Sequence, residues 1–257
     1  MSQIESQDES QDLINNGPIV VQNGEKRVCP VCAAGPDSDL HLDFDPKSVI
    51  IADCVSCLSN YMTKMYMDKK TIYRGPFLFL AIENNSLECL DSLLASAEIS
   101  DLKFKGEIDI NILTFIIKYG SLGALHKVLN KIQTLNQDLE QDFSENDFLY
   151  LTLSPLHTAC IYKKPDFIKA LIAFKDGNFF NVERQTGSGD SVLHLAIRAD
   201  SVEVIEALNL DRELFLKLLH KCNKSGTKPL DQIKNDEVKN YVSNLSLESN
   251  LKLEPTR

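Results

Sequence analysis

The sequence has no apolar run long enough to cross a bilayer. PFLFLAI at 76–82 and ILTFII at 112–117 fall well short of the roughly 20 residues a spanning helix needs, so a soluble protein is expected. The start, MSQIESQDESQD, is polar and acidic and lacks the basic opening and apolar centre of a secretory signal. A reducing, cytoplasmic compartment is the expectation. Positive charge is in deficit, with 27 Lys and Arg against 37 Asp and Glu and a net charge of -10. That balance argues against nonspecific binding to nucleic acid or anionic membrane, which both reward a dense cationic face. An even cysteine count is missing too: there are seven, four of them in two C-x-x-C pairs, which in a reducing compartment favours a metal over a disulfide framework. An enzyme signature is also missing. The GSG at 187–189 lacks the strand, lysine and helix of a phosphate loop, and no other motif assembles a nucleophile with a base.

The composition changes along the chain. Residues 1–25 read as a flexible tail rich in Ser, Gln, Asn and acids. From 26 to 60, cysteines, Pro, Gly and Asp surround two β-favouring pieces, HLDF at 41–44 and SVIIAD at 48–53, which predict a small module built on a hairpin. Residues 61–74 read as a connecting helix, 75–245 as a helical domain, and 246–257 as a second flexible tail.

Within 75–245 one phrase recurs. PFLFLAIENNSLECLDSLLA (76–95), NILTFIIKYGSLGALHKVLN (111–130), SPLHTACIYKKPDFIKALIA (154–173) and SVLHLAIRADSVEVIEALNL (191–210) align without gaps, and KPLDQIKNDEVKNYVSNL (228–245) is a shortened relative. Each copy predicts a helix, a tight turn and a second helix with apolar residues at helical spacing. Ser154 and Ser191 suit N-caps, and Pro155 suits the first helical position, where its missing N–H costs nothing. Matching positions Leu80, Phe115, Thr158 and Leu195 lie 35, 43 and 37 residues apart, a repeat period with insertions. The acidic stretch QDLEQDFSEND at 137–147 is one such insertion, read as a solvated surface or a rim that favours basic partners.

These copies resemble ankyrin repeats, whose T-P-L-H-x-A-A-x-x-G motif is best kept at Ser154-Pro155-Leu156-His157 and in GSGDSVLHLA at 187–196. The first copy departs with Phe77 and Phe79, the second with Ile112 and Thr114. The resemblance implies a solenoid of helical hairpins over 75–245; with the small β-hairpin zinc module read separately at the N-terminus, the fold expected is mainly α. The resemblance also implies that His157 and His194 hydrogen-bond to the backbone of neighbouring turns rather than serve as bases or ligands. Cys89 and Cys160 fall on inward helix positions and read as small core hydrophobes. His126 and His220 read as solvent-facing.

The module at 26–60 carries Cys29-Pro-Val-Cys32, then 21 residues, then Cys54-Val-Ser-Cys57. Four thiolates close a tetrahedral zinc shell and leave no position for water, so the reading is one structural Zn2+ per chain. It resembles a zinc ribbon, or a treble clef if Cys54 and Cys57 open the helix that YMTKMYMDKK at 61–70 suggests. His41 is a spare donor. A redox C-P-x-C site would need a βαβ surround that this sequence does not write.

The function these features imply is noncatalytic: an adaptor that holds a protein partner on the concave face of the solenoid, as a monomer. In ankyrin proteins the residues after the small-apolar pair line that face, which here names Glu83, Lys118, Tyr119, Ile161, Tyr162 and Arg198. Two alternatives stand beside it. Lysine outnumbers arginine 21 to 6, the bias of an AT-rich genome, and irregular ankyrin proteins of that kind resemble secreted effectors of intracellular bacteria acting in the host cytosol. A zinc-finger factor of the nucleic-acid or ubiquitin pathway, targeted by its repeats, is the other.

Overall fold

The computed structural model describes residues 46–67, 74–105, 110–138, 153–174 and 179–247. Among them all regular structure is helical, beyond isolated bridges such as Lys105 with Asn111 and Gln185 with Ser191. The helices come in pairs. α1 (Pro46–Ile51) pairs with α2 (Val55–Met67), and α3 (Gly75–Glu83) with α4 (Leu87–Ala95), which the short α5 (Ile99–Leu102) follows. α6 (Ile112–Tyr119) then pairs with α7 (Leu122–Asp138), α8 (Pro155–Ile161) with α9 (Pro165–Ala173), and α10 (Val192–Arg198) with α11 (Val202–Ala207). α12 (Arg212–Leu219), a 3₁₀ turn at Pro229–Gln232 and α13 (Asp236–Leu247) complete the described chain.

Packing arranges these pairs in two files. The inner file runs α1, α3, α6, α8, α10 and the 3₁₀ turn, each against the next; the outer file runs α2, α4, α7, α9, α11 and α13 in the same way. The inner helices explain the arrangement. They are short and apolar on nearly every side, as in ILTFIIKY and VLHLAIR, so each must be covered from both flanks. Ala81, Ile116, Ala159 and Ala196 are fully buried where neighbouring inner helices meet. One continuous core extends from Val49 to Val242.

The N-terminal end corrects a sequence expectation. SVIIAD at 48–53 was predicted as β, but Ser48–Ile51 is the end of α1 and Ala52-Asp53 a turn. Val49, Ile50 and Ile51 favour a strand by local propensity, yet Pro46 fixes the first helical position and Val49 and Ile50 are buried completely. They occupy the place that Ala81 and Ile82 hold one hairpin later. Tertiary burial outweighs a local preference worth tenths of a kcal/mol per residue. α2 accordingly starts at Val55, earlier than the helix read from residue 61, and packs on α4 as the outer helix of a further hairpin. At the other end, the inner helix of the fifth copy shrinks to the 3₁₀ turn Pro229–Gln232. The HLDF piece at 41–44 and residues 139–147 of the acidic insertion lie outside the described residues.

The inner-to-outer turn repeats with the same geometry. Asp53, Asn85, Lys163 and Asp200 have φ of 52°, 53°, 52° and 58°, left-handed values that a side chain adopts only at some cost. Two backbone bonds close the turn: at the first hairpin the Asp53 N–H donates to the Ile50 carbonyl (2.9 Å) and the Cys54 N–H to Val49 (3.1 Å). At the third turn Lys163 and Lys164 donate to Cys160 (3.2 Å) and Ala159 (3.0 Å). This is a helix C-cap with a left-handed residue, satisfying carbonyls the inner helix leaves open. In the separate turn at Thr186–Gly189 that precedes α10, Gly189 (φ 82°) is obligatory, because a Cβ there would lie 2.8 Å from the Lys224 nitrogen.

Asp53 also locks the first hairpin to the second. Its carboxylate accepts from the backbone N–H of Cys89 (2.8 Å) and Glu88 (3.4 Å), capping α4 from outside, while the N-cap residue Ser86 makes no such bond through its side chain. A carboxylate at a helix N-terminus gains from both the open N–H groups and the helix dipole. Asp53→Ala is expected to lower stability in urea unfolding by about 1–2 kcal/mol, with Asp53→Asn recovering most of the loss. An unchanged midpoint for the alanine variant would show that the cap does not couple the two hairpins.

Candidate functional site

The C-terminal ends of the inner helices form one row. α6 and α8 are adjacent there: the Lys118 Nζ lies 5.4 Å from the Tyr119 ring centre and 5.6 Å from that of Tyr162. Tyr119, Ile161 and Tyr162 are exposed, at 39%, 45% and 41%. Glu83 is exposed at the end of α3. Ile51, exposed at 40%, holds the same place at the end of α1 and was missed by sequence reasoning. The signal was the buried Val49-Ile50 pair followed by a left-handed turn, hidden because the segment reads as β.

Tyr119 also rests on an aromatic ladder beneath the row. Its ring stands 4.9 Å from Phe115, which is 4.7 Å from Phe79, which in turn meets Phe104 edge-on at 5.8 Å. Such pairs add about 0.5–1.5 kcal/mol each beyond their buried area, so the ring is positioned rather than loose.

Arg198 departs from expectation. The sequence placed it among positions that the stack does not require, but its guanidinium donates to Asp190 (3.1 Å) and to Gln232 of the 3₁₀ turn (3.3 Å). Asp190 is nearly buried and also accepts from Asn223 Nδ2 (2.7 Å) and Ser188 Oγ (3.2 Å). Burial alone would push the Asp190 carboxyl up; the bonds from Asn223 and Arg198, with the Arg198 charge, bring it below the usual carboxylate range. Arg198 is thus part of the clamp joining the last units, with half of its side chain left exposed.

The two histidines are structural. Ser191 N–H donates to His194 Nδ1 (3.0 Å), the Ser191 hydroxyl lies 2.8 Å from the same nitrogen, and His194 N–H points back at Ser191 Oγ (3.4 Å). With Nδ1 accepting, Nε2 carries the proton and donates to the Thr227 carbonyl of the following turn (3.1 Å). The reading of His194 as a stitch between turns is borne out. Ser154 and His157 repeat the box, with Nδ1 at 3.2 Å from the Ser154 nitrogen, but His157 Nε2 is buried with no hydrogen-bond partner among the described residues. Ser154, His157, Ser191 and His194 are all fully buried, so neither Ser–His pair is open to a substrate.

Cys89 and Cys160 are fully buried, and burial pushes both thiols up to about 12, Asp53 adding to the effect at Cys89. They are core side chains, unreactive near neutral pH. His126 and His220 face solvent, and Cys222 is exposed. Cys54 and Cys57 bracket the first turn of α2: Leu58 N–H donates to the Cys54 carbonyl (3.1 Å), making Cys54 the N-cap. Cys57 is buried at 6% and Cys54 half-buried. Cys29, Cys32 and His41 lie outside the described residues. No metal-holding group of three or more His, Cys, Asp or Glu occurs among the described residues.

Inner and outer helices stacked in two files, joined by repeated left-handed turns and Ser–His boxes, define a helical-repeat solenoid. Residues 113–217 match the family model for Ankyrin repeats (3 copies). Among solved structures it is similar to the ankyrin repeat domain of Bcl-3, a member of the IkappaB protein family. The TM-score is 0.53 at 16% identity, covering 79% of this chain and 99% of that one. It is also similar to the human ASB11 ankyrin repeat domain, with a TM-score of 0.43 at 16% identity, covering 83% of this chain and all of that one (100%). No curated protein matches the sequence. No helix among the described residues is long and apolar enough to cross a membrane.

The buried His157 generates a pH dependence. Burial lowers its pKa from 6.5 to about 4, against small upward contributions from backbone groups of Arg184 and Asp190. Its pKa is ordinary when unfolded and depressed when folded, so unfolding takes up a proton below pH 6.5. The stability is intact above that value and is lost as pH falls toward 4, by about 3 kcal/mol at the lower end. His157→Asn should start less stable at pH 7 yet lose less than the parent between pH 6.5 and 4 in parallel urea titrations. Equal losses would place the titration elsewhere.

Proposed function

We propose that this chain is a noncatalytic adaptor whose contact surface is the row at the ends of the inner helices. Ankyrin repeats are generally protein–protein interaction modules, and solenoids present extended concave surfaces to partners. One observation carries the assignment to this row. Of the five large apolar side chains exposed among the described residues, Ile51, Tyr119, Ile161 and Tyr162 all stand at equivalent helix ends; Leu230 alone lies elsewhere. Scattered exposed apolar residues need no explanation, but Tyr119, Ile161 and Tyr162 at the adjacent ends of α6 and α8 form a patch of the types that dominate interface energetics, with Glu83 between it and Ile51.

We further infer that Cys29, Cys32, Cys54 and Cys57 hold one structural Zn2+. The support is the donor chemistry together with the placing of Cys54 and Cys57 at the N-cap and three residues into α2. Side chains at those two positions lie on one side of the first turn, where open N–H groups and the helix dipole favour thiolates. Zinc would there add metal-binding free energy to the end hairpin that α1 and α2 already pack onto the stack.

Tyr119→Ala, Ile161→Ser and Tyr162→Ala should each weaken capture of a protein partner by about 1–3 kcal/mol, measured by titration calorimetry once a partner is isolated with the intact chain as bait. Arg198→Ala should weaken binding and stability together, because Asp190 loses its cation. Full binding by the triple variant Tyr119→Ala, Ile161→Ser, Tyr162→Ala would move the site off this row. Elemental analysis of purified protein should find one zinc per chain, absent after Cys54→Ser; protein purified without metal would overturn the zinc assignment.

A further inference from the structure

From α6 to α10 the inner row is chemically one-sided. In a chain with ten more acidic than basic residues, the stretches 112–119, 155–164 and 192–199 contain no Asp or Glu. Their charges are Lys118, Lys163, Lys164 and Arg198. Lys118 sits between the rings of Tyr119 and Tyr162, and Lys163 is exposed on the left-handed turn that follows Ile161-Tyr162. Lys164 is drawn onto the Phe167 ring at 5.5 Å. Arg198 spends part of its charge on Asp190, but that carboxylate is buried and half of the arginine remains in solvent. Exposed carboxylates flank that stretch, at Glu83 on α3 before it and at Asp200 on the turn after Arg198.

The outer helices are built differently. Lys127 of α7 pairs with Asp91 of α4, and Lys169 with Asp166 within α9 (3.8 Å). Both signs are interspersed there, as on an ordinary solvated face.

From this asymmetry we propose that the partner docks on the inner row through an acidic segment with apolar anchors. This rests on the reading of that row as the contact face and names the chemistry it selects. Leu, Ile or Phe side chains would cover Ile161 and the faces of Tyr119 and Tyr162. Carboxylates would meet Lys118, Lys163 and the free half of Arg198, and the phenol hydroxyls can donate to them as well. An overall negative chain with a local cationic strip repels acidic segments from every other face and orients the encounter toward this one. Nucleic acid fits less well, since a few cations on a chain of net charge -10 release too few counterions to hold a phosphate backbone.

The test uses the full chain and short fluorescein-labelled peptides that share Leu and Phe positions and carry Glu, Gln or Lys at all others. Anisotropy titrations should rank Glu tighter than Gln and Gln tighter than Lys, with about a tenfold advantage of Glu over Gln at low salt that shrinks as salt rises. Lys118→Glu with Lys163→Glu should erase or invert the ranking, while Lys169→Glu on the outer face leaves it intact. Equal binding of Glu and Lys peptides, both abolished by Tyr119→Ala with Tyr162→Ala, overturns the acidic preference and leaves the face standing. Glu-peptide binding indifferent to those tyrosines, or absent altogether, overturns the proposal, and the first of these also removes the face. Displacement of the Glu peptide by a single-stranded oligonucleotide of higher affinity would overturn it in favour of nucleic acid.

Discussion

No hairpin in this chain can cover its own inner helix. α6 and α10 bury Ile112, Leu113, Ile116, Ile117, Val192 and Leu193 almost completely, yet a partner helix within the hairpin reaches only one side of each. The rest must come from the hairpins before and after. At about 1.5–3 kcal/mol for each fully buried aliphatic side chain, the junctions between hairpins hold most of the favourable energy, and the small residues at Ala81, Ala159 and Ala196 set how close the inner helices come. Everything else follows from that constraint: the two files, the shared turn, and the alignment of equivalent residues into a row.

The chain meets the constraint in two chemical ways. In its C-terminal half the junctions are polar: the Ser191–His194 box reaches Thr227, and Asp190 gathers Arg198, Asn223 and Ser188. In its N-terminal half Phe79 stands where a histidine would, and Phe79, Phe104 and Phe115 pack as a ladder. The departures from the repeat motif are therefore a change of joint. Their consequence for the surface is that Tyr119 extends the ladder to solvent, so the same aromatic packing that closes the core also presents the site.

Much of this was legible in the sequence, because stacking demands residue types at fixed spacing. Ser154, Pro155 and Ser191 announced the inner helix starts, and the row from Glu83 to Arg198 followed from the repeat register. What could not be read was tertiary. Three consecutive β-branched or apolar residues, Val49, Ile50 and Ile51, look like a strand until the flank of α3 is there to bury them. Arg198 looks like a free surface cation until Asp190, eight residues earlier, is seen folded back under it. The helical insertions α5 and α12 carry no motif at all; they are amphipathic segments that only their burial against the stack explains.

Native-state hydrogen exchange across the whole chain tests the stacking account most directly, since the free energy of opening at each amide reports its local unit. The account predicts the greatest protection in α6, α8 and α10, which have neighbours on both sides. Protection should decline toward α13, and the amides of α1 and α2 should exchange together with those of α3 and α4 as a coupled end unit. Exchange of residues 46–67 at the rate of an unstructured chain, while α3 and α4 stay protected, would contradict it.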